Sequence, residues 1–185
     1  MGKFLADNDK TARFEALALP HLDAAYNLAR WLTRNEQDAD DLVQSACLRA
    51  FRFADGFRGG DARAWLMTIV RNTYYTALRD GRHERDCVPF DEDAHSERDG
   101  HDAGSAWAVG NDPARNLASR DAGNCVNKAL ESLPRAFREV LVMKEMNDMS
   151  YQEIAKVADI PVGTVMSRLA RARKLLAACL QKERE

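Results

Sequence analysis

Apolar residues recur every three or four positions along two stretches of the chain, residues 11–80 and 121–182, and both show little of the alternation that strands need. A repeat of about 3.6 residues collects side chains on one face of a helix. Both stretches are therefore expected to be helical. The segment between them, residues 81–120, lacks the repeat and carries Gly81, Pro89, Gly100, Gly104, Gly110 and Pro113. Turn formers at that density mark a connection rather than a helix. The expected fold class is all-α: two small helical domains, residues 11–80 and 121–182, joined by a flexible acidic linker, residues 81–120.

Within the first stretch the pattern predicts helices near 11–18, 21–33, 36–53 and 62–79. Pro20 separates the first two, Asn35 suits the N-cap of the third, and Gly56, Gly59 and Gly60 break the run before the fourth. The third helix has an inner stripe of Ala39, Leu42, Val43, Ala46, Ala50 and Phe53. Its outer face sets Leu48 and Phe51 beside Asp41 and Gln44. Large apolar residues among acids on an outward face suit a partner surface, or a face covered by another helix of the same bundle. On the fourth helix Leu66, Ile69, Val70, Thr73 and Ala77 point inward, and Trp65, Thr68, Asn72, Tyr75 and Arg79 lie opposite. Aromatic rings with Arg and Asn can stack on and hold unpaired bases; the same Trp65 and Tyr75 would also serve as core filler. The preceding loop, Phe57 to Arg63, is glycine-rich and could form a pocket for a flipped base.

The second stretch predicts a helix ending near Leu133 and another whose first turn holds Pro134, with Phe137, Val140 and Leu141 inside. The sharpest signal follows, in SYQEIAKVADIPVGTVMSRLARARKLL, residues 150–176. Ser150 and Glu153 make a capping box, Ile154, Ala155 and Ala158 supply a buried side, Asp159 and Ile160 turn the chain, and Pro161 starts the last helix. This is a helix-turn-helix layout. Val165, Leu169, Ala172 and Leu176 share one side of the last helix. Ser167, Ala170, Arg171 and Lys174 share the other, flanked by Arg168 and Arg173. Such a face fits phosphates and guanine edges, and is also what a solvated basic helix looks like.

Composition refines this picture. The formal net charge of −2 does not announce a nucleic-acid binder, but the distribution does. Residues 81–120 hold nine acids against five bases, whereas residues 162–176 hold Arg168, Arg171, Arg173 and Lys174 and no acid. Local charge decides where a polyanion docks. No apolar run reaches the roughly 18 residues that a membrane span needs, and residues 1–10 do not read as a signal peptide. A cytoplasmic protein is expected, with Cys47, Cys87, Cys125 and Cys179 reduced. His83, Cys87, His95 and His101 lack zinc spacing and read as polar linker residues. Trp107 is an isolated linker aromatic. No nucleophile–base pair, phosphate-binding glycine motif or ligand set points to an enzyme, a metal or a cofactor.

Taken in order, DADDLVQSACLRAF, FRGGDARAWLMTIVRNTYYTALRD, LESLPRAFREVLVM and MSYQEIAKVADIPVGTVMSRLARARKLL resemble the extracytoplasmic function (ECF) sigma factors of the sigma-70 family. The resemblance covers about residues 11–80 and 125–180. It implies that Asp38, Asp41, Gln44, Leu48, Arg49 and Phe51 bind core RNA polymerase. It implies that Phe57, Arg58, Gly60, Asp61, Arg63, Trp65, Arg71, Asn72 and Tyr75 melt and capture the minus-ten element. It assigns duplex contacts at the minus-thirty-five element to Thr164, Met166, Ser167, Arg168, Ala170, Arg171, Arg173 and Lys174. The implied partners are core RNA polymerase, promoter DNA in duplex and melted form, and an anti-sigma factor, membrane-linked, which would hold the protein at the inner face of the membrane until a stress signal. Ser45, Cys47 and Met166 depart from residues frequent in the family. The rival readings are a stand-alone helix-turn-helix regulator and a sigma mimic that sequesters an anti-sigma factor.

Overall fold

The computed structural model describes residues 2–83 and 125–182, and within them all regular structure is helical. Helix α1 spans Gly2–Ala18 and runs through a 3-10 turn, Leu19–His21, into α2, Leu22–Thr33. Pro20 sits in that turn, as its missing N–H requires. The first helix starts earlier than the apolar pattern predicts. Its extension is held by polar contacts that leave no periodicity: the Lys10 ammonium lies 3.2 Å from the Asp55 carboxylate and 5.2 Å from the centre of the Phe51 ring.

Helix α2 buries Ala25, Leu28, Ala29, Trp31 and Leu32 and ends at Arg34, whose left-handed backbone (φ 60°) lets its N–H reach the carbonyl of Arg30. Helix α3, Glu36–Phe53, starts on the Asn35 side chain, which accepts from the N–H of Asp38 at 3.1 Å. Ala39, Leu42, Ala46 and Ala50 are buried as the pattern predicts. Phe51 and Phe53 exchange the expected places. Phe53 is 63% exposed, while Phe51 is half-buried with its ring edge-on to Phe14 of α1 at 5.6 Å. The cause lies at the helix end. The chain turns into a 3-10 segment, Ala54–Gly56, and Ala54 takes the buried place four residues after Ala50.

Helix α4, Ala62–His83, is capped by Asp61, whose carboxylate accepts from the N–H groups of Arg63 at 2.9 Å and Ala64 at 3.1 Å. Leu66, Val70 and Thr73 are buried as expected, and Met67 joins them. Ala77 does not: it is exposed and, with Asp41, Ser45 and Tyr74, lines an open groove between α3 and α4 that its small side chain cannot fill. Of the segment read as a linker, residues 81–83 close α4; the rest, with Cys87, His95, His101 and Trp107, lies outside the described residues.

The C-terminal bundle begins with α5, residues 125–132, followed by α6, Arg135–Glu145, α7, Tyr151–Ala158, and α8, Val162–Lys182. Pro134 stands one residue earlier than expected, as N-cap of α6, where its carbonyl accepts from the N–H groups of Phe137 and Arg138. Helix α6 buries Arg138 and Glu139 along with Val140 to Met143, because it packs on α8 at one side and on α2 at another. The two bundles therefore meet. Helix α2 packs on α6 and α4 on α7, and one hydrophobic core runs through both.

Candidate nucleic-acid interface

The helix-turn-helix is built by local capping. The Ser150 hydroxyl accepts from the N–H of Glu153 at 3.2 Å, and the Glu153 carboxylate accepts from the N–H of Ser150 at 2.6 Å. Bonds to the Ser150 hydroxyl and amide, with a further one to Asp61, hold the Glu153 carboxyl at about 2, below its usual 4.5. At the other end Asp159 takes a left-handed backbone (φ 54°) and the N–H of Ile160 returns to the carbonyl of Ala155 at 3.1 Å. The chain is thereby aimed into α8, where the N–H groups of Thr164 and Val165 donate to the carbonyl of Pro161.

Helix α8 has the two faces expected of it. Val165, Leu169 and Ala172 are buried, and Ser167, Ala170, Arg171 and Lys174 are exposed. Met166 is 53% exposed on the same outer surface. Thr164 and Arg168 are half-buried at its margin. Arg173 is exposed but engaged: its guanidinium donates to the Glu145 carboxylate at 2.7 and 3.1 Å, and that bond raises its pKa. Of the predicted cations, Arg171 and Lys174 stand clear on the outer face.

The second region is the loop Phe57–Asp61 with α4. The Phe57 ring packs at 5.3 Å on Trp65, and its carbonyl accepts from the Arg13 guanidinium at 2.6 Å. Gly59 and Gly60 have φ of +92° and +110°, values that side chains rarely adopt, so the turn requires glycine. Arg58 and Asn72 are exposed. Arg63, Arg71 and Tyr75 are half-buried and bound to the C-terminal bundle. The Arg63 guanidinium donates to the carbonyl of Asn147 at 2.8 Å and lies 3.5 Å from the Glu153 carboxylate. Arg71 pairs with the Glu139 carboxylate, and the Tyr75 hydroxyl donates to the same group at 3.0 Å. Burial, then the charge of Glu139, pushes the Tyr75 phenol well above its usual 10.0.

The third region is the outer face of α3. Asp38, Asp41, Gln44 and Arg49 are exposed, and Leu48 is 65% exposed. Phe51 is withdrawn from this face by Phe14, and Phe53 is the large aromatic left outside. Sequence reasoning missed Glu139 and Asn147. The signal for Glu139 was a second apolar line on α6, Ala136, Val142 and Met143, which marks a helix buried on two sides; Asn147, in the turn after α6, had none. Among the described residues no cluster of His, Cys, Asp and Glu could hold a metal ion, and no helix is long and apolar enough to cross a membrane.

These regions coincide with known families. Sigma-70 region 2 matches residues 17–84, and Sigma-70, region 4 matches residues 123–176. The ECF RNA polymerase sigma-E factor of Escherichia coli K12 is 36% identical over 141 residues, 75% of this chain and 72% of that protein. The ECF RNA polymerase sigma factor SigE of Mycolicibacterium smegmatis is 31% identical over 182 residues, 97% of this chain and 66% of that protein. Among solved structures, the sigma factor RpoE in complex with the anti-sigma factor NepR from Bartonella quintana superposes with a TM-score of 0.68 at 28% identity, over 91% of this chain and 96% of that one. CnrH in complex with the cytosolic domain of CnrY superposes with a TM-score of 0.59 at 27% identity, over 91% and 88%. A capped helix-turn-helix and a helical bundle with a glycine loop, each matched by its own sigma-70 region, place this chain in the family of ECF RNA polymerase sigma factors.

Proposed function

We propose that this sigma factor acts as a two-point clamp, in which the N-terminal bundle holds core RNA polymerase and opened minus-ten DNA and the C-terminal bundle reads the closed duplex at the minus-thirty-five element. The observation that carries this reading is α8: an acid-free helix of a capped helix-turn-helix, buried through Val165, Leu169 and Ala172 and open to solvent through Arg171 and Lys174. Arg171 and Lys174 neutralise phosphate, and Ser167 and Ala170 allow close approach to base edges. Two weak contacts on one chain raise each other's effective concentration and so give one specific complex. Leu48, apolar and exposed beside Asp41 and Gln44, suits a polymerase surface with an apolar centre and polar rim.

The protein works by binding rather than by bond chemistry, in the cytoplasm. An anti-sigma factor is its natural inhibitor, a reading supported by the solved complex of the sigma factor RpoE with the anti-sigma factor NepR. Run-off transcription with purified core RNA polymerase, on templates selected from genomic fragments, tests the assignment. Wild-type protein yields discrete transcripts. Arg171→Ala lowers their yield and leaves co-purification with core enzyme intact. Protein that binds duplex DNA alone and never directs initiation would be a stand-alone regulator instead.

A further inference from the structure

The exposed surface of α8 changes character along its length. Arg171 and Lys174 come after Ala170, in the third and fourth turns. The two turns before them expose Val162, Gly163, Met166 and Ser167, and none of these carries a charge. Val162 is 39% and Met166 53% exposed, and at four residues apart they share a side of the helix. By the helical repeat, Met166, Ala170, Gly163 and Ser167 follow one another around about 100° of the surface. Arg168, in the same turns, is half-buried and lies about 100° further round than Ser167.

In a helix-turn-helix the N-terminal residues of the second helix meet the base edges. A guanine edge is read by Arg or Lys, an adenine edge by Asn or Gln, and a cytosine amino group by Asp or Glu. The leading turns of α8 expose none of these side chains. They offer an apolar surface instead, and the apolar group on a base edge in the major groove is the C5 methyl of thymine. A thioether chain is unbranched and adapts its shape to such a group. Ser167 points the same way. Its hydroxyl donates to the carbonyl of Thr164 at 3.0 Å, so its oxygen turns lone pairs outward and accepts. The adenine paired with thymine supplies an amino group, N6, to that oxygen.

We infer that Met166 is a specificity residue for thymine: its exposed side chain, with Val162 one turn before it, packs on the methyl group of an A·T pair in the duplex, while Arg171 and Lys174 hold the backbone. This rests on the assignment of α8 to the minus-thirty-five duplex made above. Burial of one methyl group is worth about fourfold in binding. The base selected by this chain at that position is therefore set by apolar contact and not by a cation.

The experiment uses the full chain with core RNA polymerase, at limiting protein, on the selected run-off templates. Thymine in the minus-thirty-five element is replaced, one position at a time, by deoxyuridine, which lacks only the C5 methyl. At one position or more the wild-type yield should fall about fourfold. With Met166→Ala the yield on the thymine template should already be lowered, and uracil at that position should cost nothing further. Met166→Arg, taken through the same template selection, should return guanine where wild type returns thymine. Met166 is exposed, so both variants should still co-purify with core enzyme, which separates lost reading from lost folding. If uracil costs nothing at any position, if Met166→Ala keeps every cost, or if Met166→Arg still returns thymine, the thymine reader is refuted while the two-point clamp stands. Protein that directs initiation on no template refutes the assignment of α8, and the thymine reader with it.

Discussion

The packing of α8 against the rest of its bundle can be tested by shortening one side chain. Leu169 is 1% exposed and belongs to the shared core. Leu169→Ala removes three carbons; at about 0.8 kcal/mol for each buried methylene-sized group, the transfer loss is about 2.4 kcal/mol. The surroundings include Ile154, Val157 and Val165, which are themselves fully buried and held by the capped turn, so collapse around the gap is partial. A residual void of about 50–100 Å3, at about 24 cal/mol per Å3, adds about 1–2 kcal/mol. The expected loss is therefore about 3–5 kcal/mol. Urea unfolding followed by circular dichroism reads it as a midpoint lowered by about 2 M, for a slope of about 2 kcal/mol per M. Leu175→Ala on the same helix is the control. Leu175 is 40% exposed, and its truncation should cost less than about 1 kcal/mol, since alanine favours the helix. A loss below about 1 kcal/mol at Leu169, or equal losses at the two sites, would refute the orientation of α8 and with it the solvent-facing position of Arg171.

Leu48→Ser should leave stability within about 0.5 kcal/mol, as expected for an exposed position, yet weaken association with core polymerase in a pull-down; unchanged retention would remove α3 from that interface. Glu153 ties stability to pH. Its carboxyl is held at about 2 in the fold against 4.5 ordinarily, so its contribution is complete above 4.5 and is lost as pH falls towards 2. Glu153→Gln should flatten that limb of the thermal-melting profile against pH, and an unchanged limb would contradict the attribution. Gly60→Ala meets no atom within 4 Å, but at φ +110° it should cost about 1–3 kcal/mol in denaturant unfolding. A neutral result would show that the loop does not need this backbone.

Helix positions were legible where local chemistry writes them into the chain. Asn35 and Ser150 cap through their own side chains, Pro20 and Pro134 interrupt, and the stripe Val165, Leu169, Ala172 obeys the helical repeat. These effects act within four residues and need no partner. Periodicity failed where a neighbour outside the helix decided the outcome. Phe14 drew Phe51 inward, Ala54 displaced Phe53, and an unfilled groove left Ala77 exposed.

The sequence by itself determined the all-helical class, the capped helix-turn-helix, the opposed faces of α8 and the glycine turn before α4, because each follows from propensities and spacings inside one element. The tertiary structure alone decided which charged residues are free. Arg171 and Lys174 face solvent, while Arg63, Arg71 and Arg173 are paired with Glu153, Glu139 and Glu145, residues 90, 68 and 28 positions away in the chain. A helical repeat places a side chain on a face but carries no information about which distant carboxylate the fold brings against it.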